Sequence, residues 1–238
     1  MDLEELDERI CIAITQAERG STDSLRRLTQ SLGTKESIEG LLISILREES
    51  RISESGGWSY IHGNGFDKLV LLMREGVYKL RLHVWWEDAP LDATENIHCH
   101  RWDFASTLIT GNYRYQLYER TDREGTEEGY EYVYHPPRNE GFHGLKLVGQ
   151  QRLLCTFDAN LAAGSSYYMS RKLFHRITRL GHGMTSTIML QQRDATDTAT
   201  MFAKSAYDQP EELHTPPLGS EGFKSQLESY LRALSSQV

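Results

Sequence analysis

The chain has 238 residues, a net charge of −8 at pH 7 and 39% hydrophobic residues. That length fits one domain with extensions, or at most two small domains, and that hydrophobic content can form a sizeable core. An acidic surface repels phosphates and anionic lipids, so we expect neither nucleic acid nor a membrane as a partner. No apolar run approaches the roughly 20 residues that span a membrane.

The amino terminus and the cysteines both favour a cytoplasmic location. The opening MDLEELDERI is acidic and typical of a helix, unlike a secretory or transit peptide. The cysteines are Cys11, Cys99 and Cys155, which are widely spaced and form no C-x-x-C pair. Neither a disulfide framework nor a cysteine-rich zinc site is therefore expected. We expect reduced thiols in a reducing compartment.

Residues 1–52 predict a helical N-terminal extension with three amphipathic helices. Apolar residues recur at spacings of three and four, and Gly20, Gly33 and the N-cap candidate Thr34 separate the helices. The apolar stripes are Leu3, Leu6, Ile10, Ala13, Ile14 and Ala17, then Leu25, Leu28 and Leu32, then Ile38, Leu41, Leu42, Ile45 and Leu46. Each helix would bury one face.

Residues 58–193 predict a mainly β domain of short strands separated by glycines or charged turns. Gly111-Asn112, between two of the strands, is the strongest hairpin signal. About ten strands at this spacing indicate a sandwich or a closed barrel. The candidate strands are Asp67–Met73, Val77–Trp86, Phe104–Thr110, Tyr113–Glu119, Tyr130–His135, Leu145–Val148, Arg152–Asp158, Ser166–Met169, His175–Leu180 and Thr185–Gln192.

Residues 194–238 predict a polar loop followed by one last helix. The loop is irregular through about residue 219 and contains Pro210 and the pair Pro216-Pro217. We expect the helix to pack against the outside of the β domain through one apolar face. That face consists of Phe223, Leu227, Tyr230, Leu231 and Leu234.

The segment Ile97-His98-Cys99-His100 carries the clearest chemical signal. In an extended strand the side chains of residues i and i+2 project from the same face, so His98 and His100 project together while Cys99 projects away. Two converging imidazoles bind a divalent metal well and need a third donor from another strand. Two histidines with this spacing also occur on protein surfaces without a metal, so the tripeptide His98-Cys99-His100 is compatible with that alternative as well.

The wider context of this pair resembles the two-part signature of the cupin superfamily. A strand and a glycine turn follow the pair, and much later Gly164 leads through a hairpin to His175. The resemblance implies a double-stranded β-helix, a jelly-roll barrel, over residues 58–193, with the helical segments outside it. It also implies that His98, His100 and His175 bind one metal ion inside the barrel.

The sequence departs from the common cupin pattern in two places. Phe104 and Ala105 stand where the first motif usually has a glutamate, and Ser170 and Lys172 stand where the second has proline and glycine. A site without the carboxylate is similar to that of three-histidine cupins, such as the cysteine-dioxygenase-like group and some ring- or diketone-cleaving dioxygenases. Those enzymes use Fe(II) with open positions for substrate and oxygen.

Three polar residues near the motifs are candidate catalytic residues, namely Tyr115, Asp103 and Tyr168. A tyrosine hydroxyl could hold substrate or superoxide, and Asp103 lies just before the positions of the missing glutamate. The alternatives are barrel packing for the tyrosines and a turn-supporting role for the carboxylate. Arg81 and His83 share one strand face and could line the barrel mouth.

Fold alone does not determine chemistry, and three functions remain open. The first is a non-haem iron(II) dioxygenase that acts on a small molecule with O2. The second is an isomerase, lyase or hydrolase that uses Zn, Ni or Mn as a Lewis acid. The third is a non-catalytic cupin that binds a small ligand. The resemblance also implies a homodimer, to which the helical extension could contribute.

Overall fold

The structure, a computed structural model, describes residues 1–89, 94–124, 126–135, 142–207 and 213–236. Its helices are α1 (Leu3–Glu18), α2 (Asp23–Leu32), α3 (Lys35–Leu46), α4 (Glu49–Trp58) and α5 (Gly219–Ser236). Its strands are β1 (Tyr60–His62), β2 (Phe66–Arg74), β3 (Tyr78–Trp85), β4 (Ile97–His98), β5 (Phe104–Thr110), β6 (Asn112–Thr121), β7 (Glu127–His135), β8 (Phe142–Ala162), β9 (Ser166–Met169), β10 (Phe174–Arg179), β11 (Thr185–Gln192), β12 (Ala199–Ala203) and β13 (Leu213–His214). Among the described helices, none has the length and apolar character needed to cross a membrane.

The strands form two antiparallel sheets with jelly-roll connectivity. The first sheet has the order β1-β2-β3-β11-β5-β9, and the second has the order β13-β8-β6-β10-β4-β12-β7. The first sheet contains the four-stranded unit β3-β11-β5-β9, and the second contains β8-β6-β10-β4. The chain changes sheet after β3, β4, β5, β8, β9, β10 and β11. This is the strand arrangement of a jelly roll, and it confirms the predicted double-stranded β-helix fold.

The helices pack on the outer face of the first sheet. One core cluster joins buried residues of all five helices to residues of β2, β3, β5 and β11. The apolar stripe predicted for α1, from Leu3 to Ala17, is buried in this cluster. At the other end of the chain, the Tyr230 hydroxyl of α5 lies 2.9 Å from Ser186 Oγ in β11. The first sheet is therefore covered on both faces, by helices outside and by the barrel interior inside.

The helical segment continues to Trp58, beyond the boundary predicted at residue 52. Helix α4 includes Gly56 and Gly57, which lower helix propensity and obscure the apolar pattern in the sequence. Gly56 is required by packing, because a methyl group there would lie 2.5 Å from the carbonyl carbon and oxygen of Gly219. The start of α5 thus approaches α4 so closely that a residue with a Cβ atom at position 56 would collide with the backbone of Gly219.

Two of the predicted strands are parts of one strand, and the prediction missed three strands, β1, β12 and β13. Leu145–Val148 and Arg152–Asp158 both lie in β8, where a register shift opposite β7 and the polar residues around Gly149 interrupt the apolar pattern. The region predicted as an irregular loop contains β12, which completes the second sheet between β4 and β7. Pro210 lies outside the described residues.

Candidate metal centre

The pairing of β4 with β10 brings the predicted ligands together. His98 and His175 are direct Cα partners in this antiparallel pair, and His100 follows two residues after His98. The ring centroids lie 4.5 Å apart for His98 and His175, 4.9 Å for His98 and His100, and 5.0 Å for His100 and His175. One nitrogen from each ring lies within 4.8 Å of the others. Cys99, between the ligands, instead accepts a hydrogen bond through Sγ from the Thr200 N–H at 3.3 Å.

The ring nitrogens are arranged as a divalent metal requires. His98 Nδ1 lies 2.8 Å from the carbonyl oxygen of Asn96, which favours a proton on Nδ1 and leaves the Nε2 lone pair free. His100 Nε2 and His175 Nε2 lie 2.9 Å apart. Two nitrogens that bind one ion at about 2.0–2.1 Å and at a right angle are separated by about 3 Å. The His100–His175 nitrogen distance suits a shared metal ion, and the three imidazoles form a group that could hold one.

The surroundings keep these imidazoles in the neutral form that binds metals. Burial lowers the pKa of His98 below its ordinary value of 6.5, and it lowers those of His100 and His175 well below it. The positive charge of Lys68 acts in the same direction on His98 and His100. Metal binding at neutral pH therefore does not have to compete with a proton.

Two cavities meet at the histidines. The inner chamber, of about 60 Å³, lies inside the barrel against all three histidines. The vestibule, of about 420 Å³, lies outside it, and His98 and His100 line both cavities. Apolar walls of the inner chamber include Phe104, Ile177 and Met189. Walls of the vestibule include Tyr60, Tyr134, Leu145, Met201 and Tyr207. A bound metal would therefore stand between a smaller cavity and a larger one.

The inner chamber also contains charged residues. Arg81 and His83, expected at the barrel mouth, line it from β3, and Lys68 lines both cavities from β2. Arg81 and His83 are each 6% exposed. Burial lowers the pKa of His83 well below 6.5, so its ring is neutral. Arg81 is a cation, and such burial of a cationic side chain is unusual without a partner.

Glu95 is a chamber residue that the sequence prediction missed. It is 7% exposed, and its Oε2 has no hydrogen-bond partner among the described residues. Burial raises the pKa of Glu95 to about 7, although hydrogen bonds from the Ile177 N–H and the Asn64 side chain act against this. The sequence feature that could have predicted Glu95 was its position three residues before His98, the first histidine of the H-x-H motif. A carboxylate before a short strand is usually solvent-exposed, so that signal was weak.

Asp103 and Tyr168 lie away from the histidines. Tyr168 and its cross-strand partner Ala105 face the helix-covered side of the first sheet, while the adjacent Tyr167 faces the inner chamber. The Asp103 carboxylate accepts hydrogen bonds from the Arg171 N–H at 2.6 Å and from Arg171 Nη1 at 3.0 Å. Its placement agrees with the turn-supporting alternative.

Tyr115 reaches the site with its ring and not with its hydroxyl. Its ring centroid lies 5.8 Å from that of His175, and its hydroxyl donates to Met169 Sδ at 2.8 Å. Burial raises the pKa of Tyr115, so the hydroxyl stays protonated. Tyr167, which lines the chamber, has its hydroxyl 3.0 Å from that of Tyr113. The ring of Tyr115 therefore packs beside that of His175, while its hydroxyl is directed at Met169.

Comparison with known proteins finds similarity at the level of solved structures. No protein-family model matches the sequence, and no curated protein matches it. An RmlC-like cupin from Shewanella frigidimarina is 12% identical over 57% of this chain and 82% of that chain, with a TM-score of 0.34. The cupin domain of Cnp3 from Schizosaccharomyces pombe is 8% identical over 54% and 61%, with a TM-score of 0.33. Hydroquinone 1,2-dioxygenase PnpCD, in complex with Cd2+ and 4-hydroxybenzonitrile, is 13% identical over 52% and 61%, with a TM-score of 0.31. At these values the similarity assigns no activity to the present chain.

Proposed function

We propose that this chain with a cupin fold is a metal-dependent enzyme, a non-haem iron(II) dioxygenase that acts on a small molecule. The observation that carries the proposal is the convergence of His98, His100 and His175 beside an enclosed chamber. Among the described residues, the cluster suited to a metal contains these three residues and no carboxylate. Imidazole suits iron, and three protein ligands leave coordination positions open for substrate and O2.

The protein groups around the site support such a reaction. A bound iron(II) would supply dioxygen activation and Lewis acidity. The neutral histidines leave the charge of a divalent ion undiminished, which favours an anionic or chelating substrate. Phe104, Ile177 and Met189 give the chamber apolar walls. The Asn96 carbonyl fixes the orientation of the His98 ring.

Metal analysis combined with oxygen uptake tests this function. We expect about one iron per chain after anaerobic iron loading, and substrate-dependent O2 consumption in a screen of thiols, amino acids, dicarbonyls and aromatic acids. His98→Ala should abolish both, whereas His182→Ala should change neither, because His182 is exposed in a turn away from the cluster.

Three other results of these experiments would each lead to a different conclusion. A chain that takes up no metal after anaerobic loading would reject the proposal. Activity with Zn, Ni or Mn that persists without oxygen would replace it with Lewis-acid isomerase or lyase chemistry. Ligand binding that survives His98→Ala, without any turnover, would indicate a non-catalytic cupin.

A further inference from the structure

Lys68 lies at the junction of the two cavities. It is half-buried on β2, and it is the one lysine among the described residues that line the vestibule or the inner chamber. Its Nζ lies 5.4 Å from the centroid of the Tyr60 ring and 6.0 Å from that of the Trp102 ring. Both rings also line the vestibule. A ligand in the vestibule therefore meets this side chain.

The surroundings of Lys68 favour the neutral amine, which is the nucleophilic form of lysine. Burial lowers the pKa of Lys68 below its ordinary value of 10.5, and the charge of Arg81 acts in the same direction, while Tyr60 and Glu95 act against them. Removal from water and a neighbouring cation are two features that activate the lysines of enzymes that form Schiff bases. Lys68 has both features, and a side-chain hydrogen bond with Tyr60 orients its amine.

The walls of the vestibule indicate which electrophile reaches this amine. Its volume of about 420 Å³ lies within the range of small-molecule sites, roughly 300–1,000 Å³. Four aromatic residues line it, namely Tyr60, Trp102, Tyr134 and Tyr207, and their rings suit a flat apolar body. A lysine amine reacts with carbonyl compounds to form Schiff bases. An aromatic aldehyde combines a flat ring with an unhindered carbonyl group.

We propose that Lys68 forms an imine with a small aromatic aldehyde whose ring lies in the vestibule. The lone pair of Nζ attacks the carbonyl carbon and forms a C–N bond, and the resulting carbinolamine loses its hydroxyl group as water. The two hydrogens of the neutral amine and the carbonyl oxygen make up that water, so the step consumes no oxidant or reductant. The bond to Lys68 requires no metal, and this site therefore goes beyond the proposed function.

Reductive trapping of the full chain with benzaldehyde and sodium cyanoborohydride tests the inference. The reagent reduces the imine to a stable benzylamine, which peptide mapping by mass spectrometry assigns to a residue. Lys79 is a stringent internal standard, because burial lowers its pKa to about 8 while its Nζ lies 4.1 Å from the ring centroid of the exposed Trp58. We expect benzaldehyde to label Lys68 at least about tenfold faster than Lys79, because the vestibule binds the ring beside Lys68. The result should hold for metal-loaded and for chelator-treated protein.

A ringless aldehyde and two variants complete the design. Acetaldehyde has the carbonyl group without the ring, so its ratio of labelling at Lys68 to labelling at Lys79 should be at least about tenfold lower than that of benzaldehyde. Lys68→Arg should remove the preferred label, whereas the matched control Lys79→Arg should keep it. Thermal unfolding of each variant reports its folding. If Lys68→Arg does not fold, the position of the label in the wild type decides the matter.

Three results would overturn the inference. Equal labelling of Lys68 and Lys79 by benzaldehyde would mean that Lys68 is no preferred nucleophile. The same labelling ratio with acetaldehyde would remove the aromatic vestibule from recognition. Labelling of Lys68 that disappears after chelation would mean that the metal, and not the protein's own groups, brings the aldehyde to the amine. Preferred labelling of Lys68 in a chain that takes up no metal would instead preserve the inference and reject the proposed function.

Discussion

His98 and His175 are direct Cα partners across β4 and β10, and their ring centroids lie 4.5 Å apart. Opposite residues of an antiparallel pair project from the same face, so this register aims both rings at one point. Strand β4 has two residues and pairs with β10 on one side and β12 on the other. A metal held by both residues would therefore connect the two strands and stabilise the second sheet.

Metal addition should raise the thermal stability of the chain through this connection. A ligand that binds only the folded state contributes about 2.7 kcal/mol when its free concentration is a hundred times its dissociation constant. We expect the unfolding temperature to rise with divalent metal in the wild type and in His182→Ala, and to stay unchanged in His175→Ala. Differential scanning fluorimetry with and without metal measures this, and an equal rise in all three proteins would contradict it.

Tyr115 should tolerate loss of its hydroxyl but not of its ring. Tyr115→Phe removes one hydrogen bond to Met169 and should change the free energy of unfolding by about 1 kcal/mol or less. Tyr115→Ala removes the buried ring beside His175 and should cost about 3–5 kcal/mol. Metal occupancy should persist in the first variant and fall in the second. A large loss of turnover in a stable, metal-loaded Tyr115→Phe would restore the catalytic role predicted from the sequence.

Asp103 should contribute to stability and not to metal binding. Asp103→Asn weakens the hydrogen bonds from Arg171 that anchor the turn before β10. Bonds to a charged group contribute about 1.5–3 kcal/mol, and partial exposure reduces this to about 1 kcal/mol. Denaturant unfolding and metal analysis together check the expectation. Loss of metal from a folded Asp103→Asn would show that the carboxylate acts on the site.

Predictions from the sequence were confirmed where the spacing of residues is compatible with a single local conformation. The stripe on α1 follows helical spacing, and the spacing of His98 and His100 places both on one side of the chain. The resemblance of the second motif predicted that His175 lies beside His98 and His100, and the structure brings the three rings together. These inferences required only local geometry and a resemblance between motifs.

The sequence was less informative where tertiary contacts decide the outcome. Glu95 and Lys68 are charged residues whose burial depends on strands distant in sequence. Tyr167 and Tyr168 are adjacent residues of one type, and only the register of β9 on β5 decides which of them faces the chamber. Strand β12 lies in a polar segment and is stabilised by β4 and β7. Its own sequence has little strand pattern.

The contact between α4 and α5 predicts opposite effects at two adjacent glycines. Gly56→Ala would place a methyl group 2.5 Å from the Gly219 carbonyl group and should destabilise the chain by about 1–3 kcal/mol. A Cβ at Gly57 would have no atom within 4 Å, so Gly57→Ala should stabilise the chain by up to about 1 kcal/mol through helix propensity. Urea unfolding of both variants measures this. A destabilised Gly57→Ala would show that backbone conformation, and not the approach of α5, selects these glycines.

Glu95 predicts a loss of stability of the metal-free chain as the pH rises. Its pKa is about 7 in the folded chain, above the ordinary value of 4.5, so the folded state holds the proton more tightly than the unfolded state. The corresponding stabilisation is complete below pH 4.5, falls as the pH rises, and is lost above about pH 7. The shift corresponds to about 3 kcal/mol across that interval.

Glu95→Gln tests this pH dependence because the amide keeps the shape of the protonated carboxyl group and does not ionise. We expect the wild type to lose stability across the interval and Glu95→Gln to lose much less, as measured by denaturant unfolding at several pH values. Glu75→Gln, in an exposed turn, is the control and should follow the wild type. Equal pH profiles for all three chains would mean that the Glu95 carboxyl ionises without penalty, and hence that the inner chamber is more hydrated than its enclosure indicates.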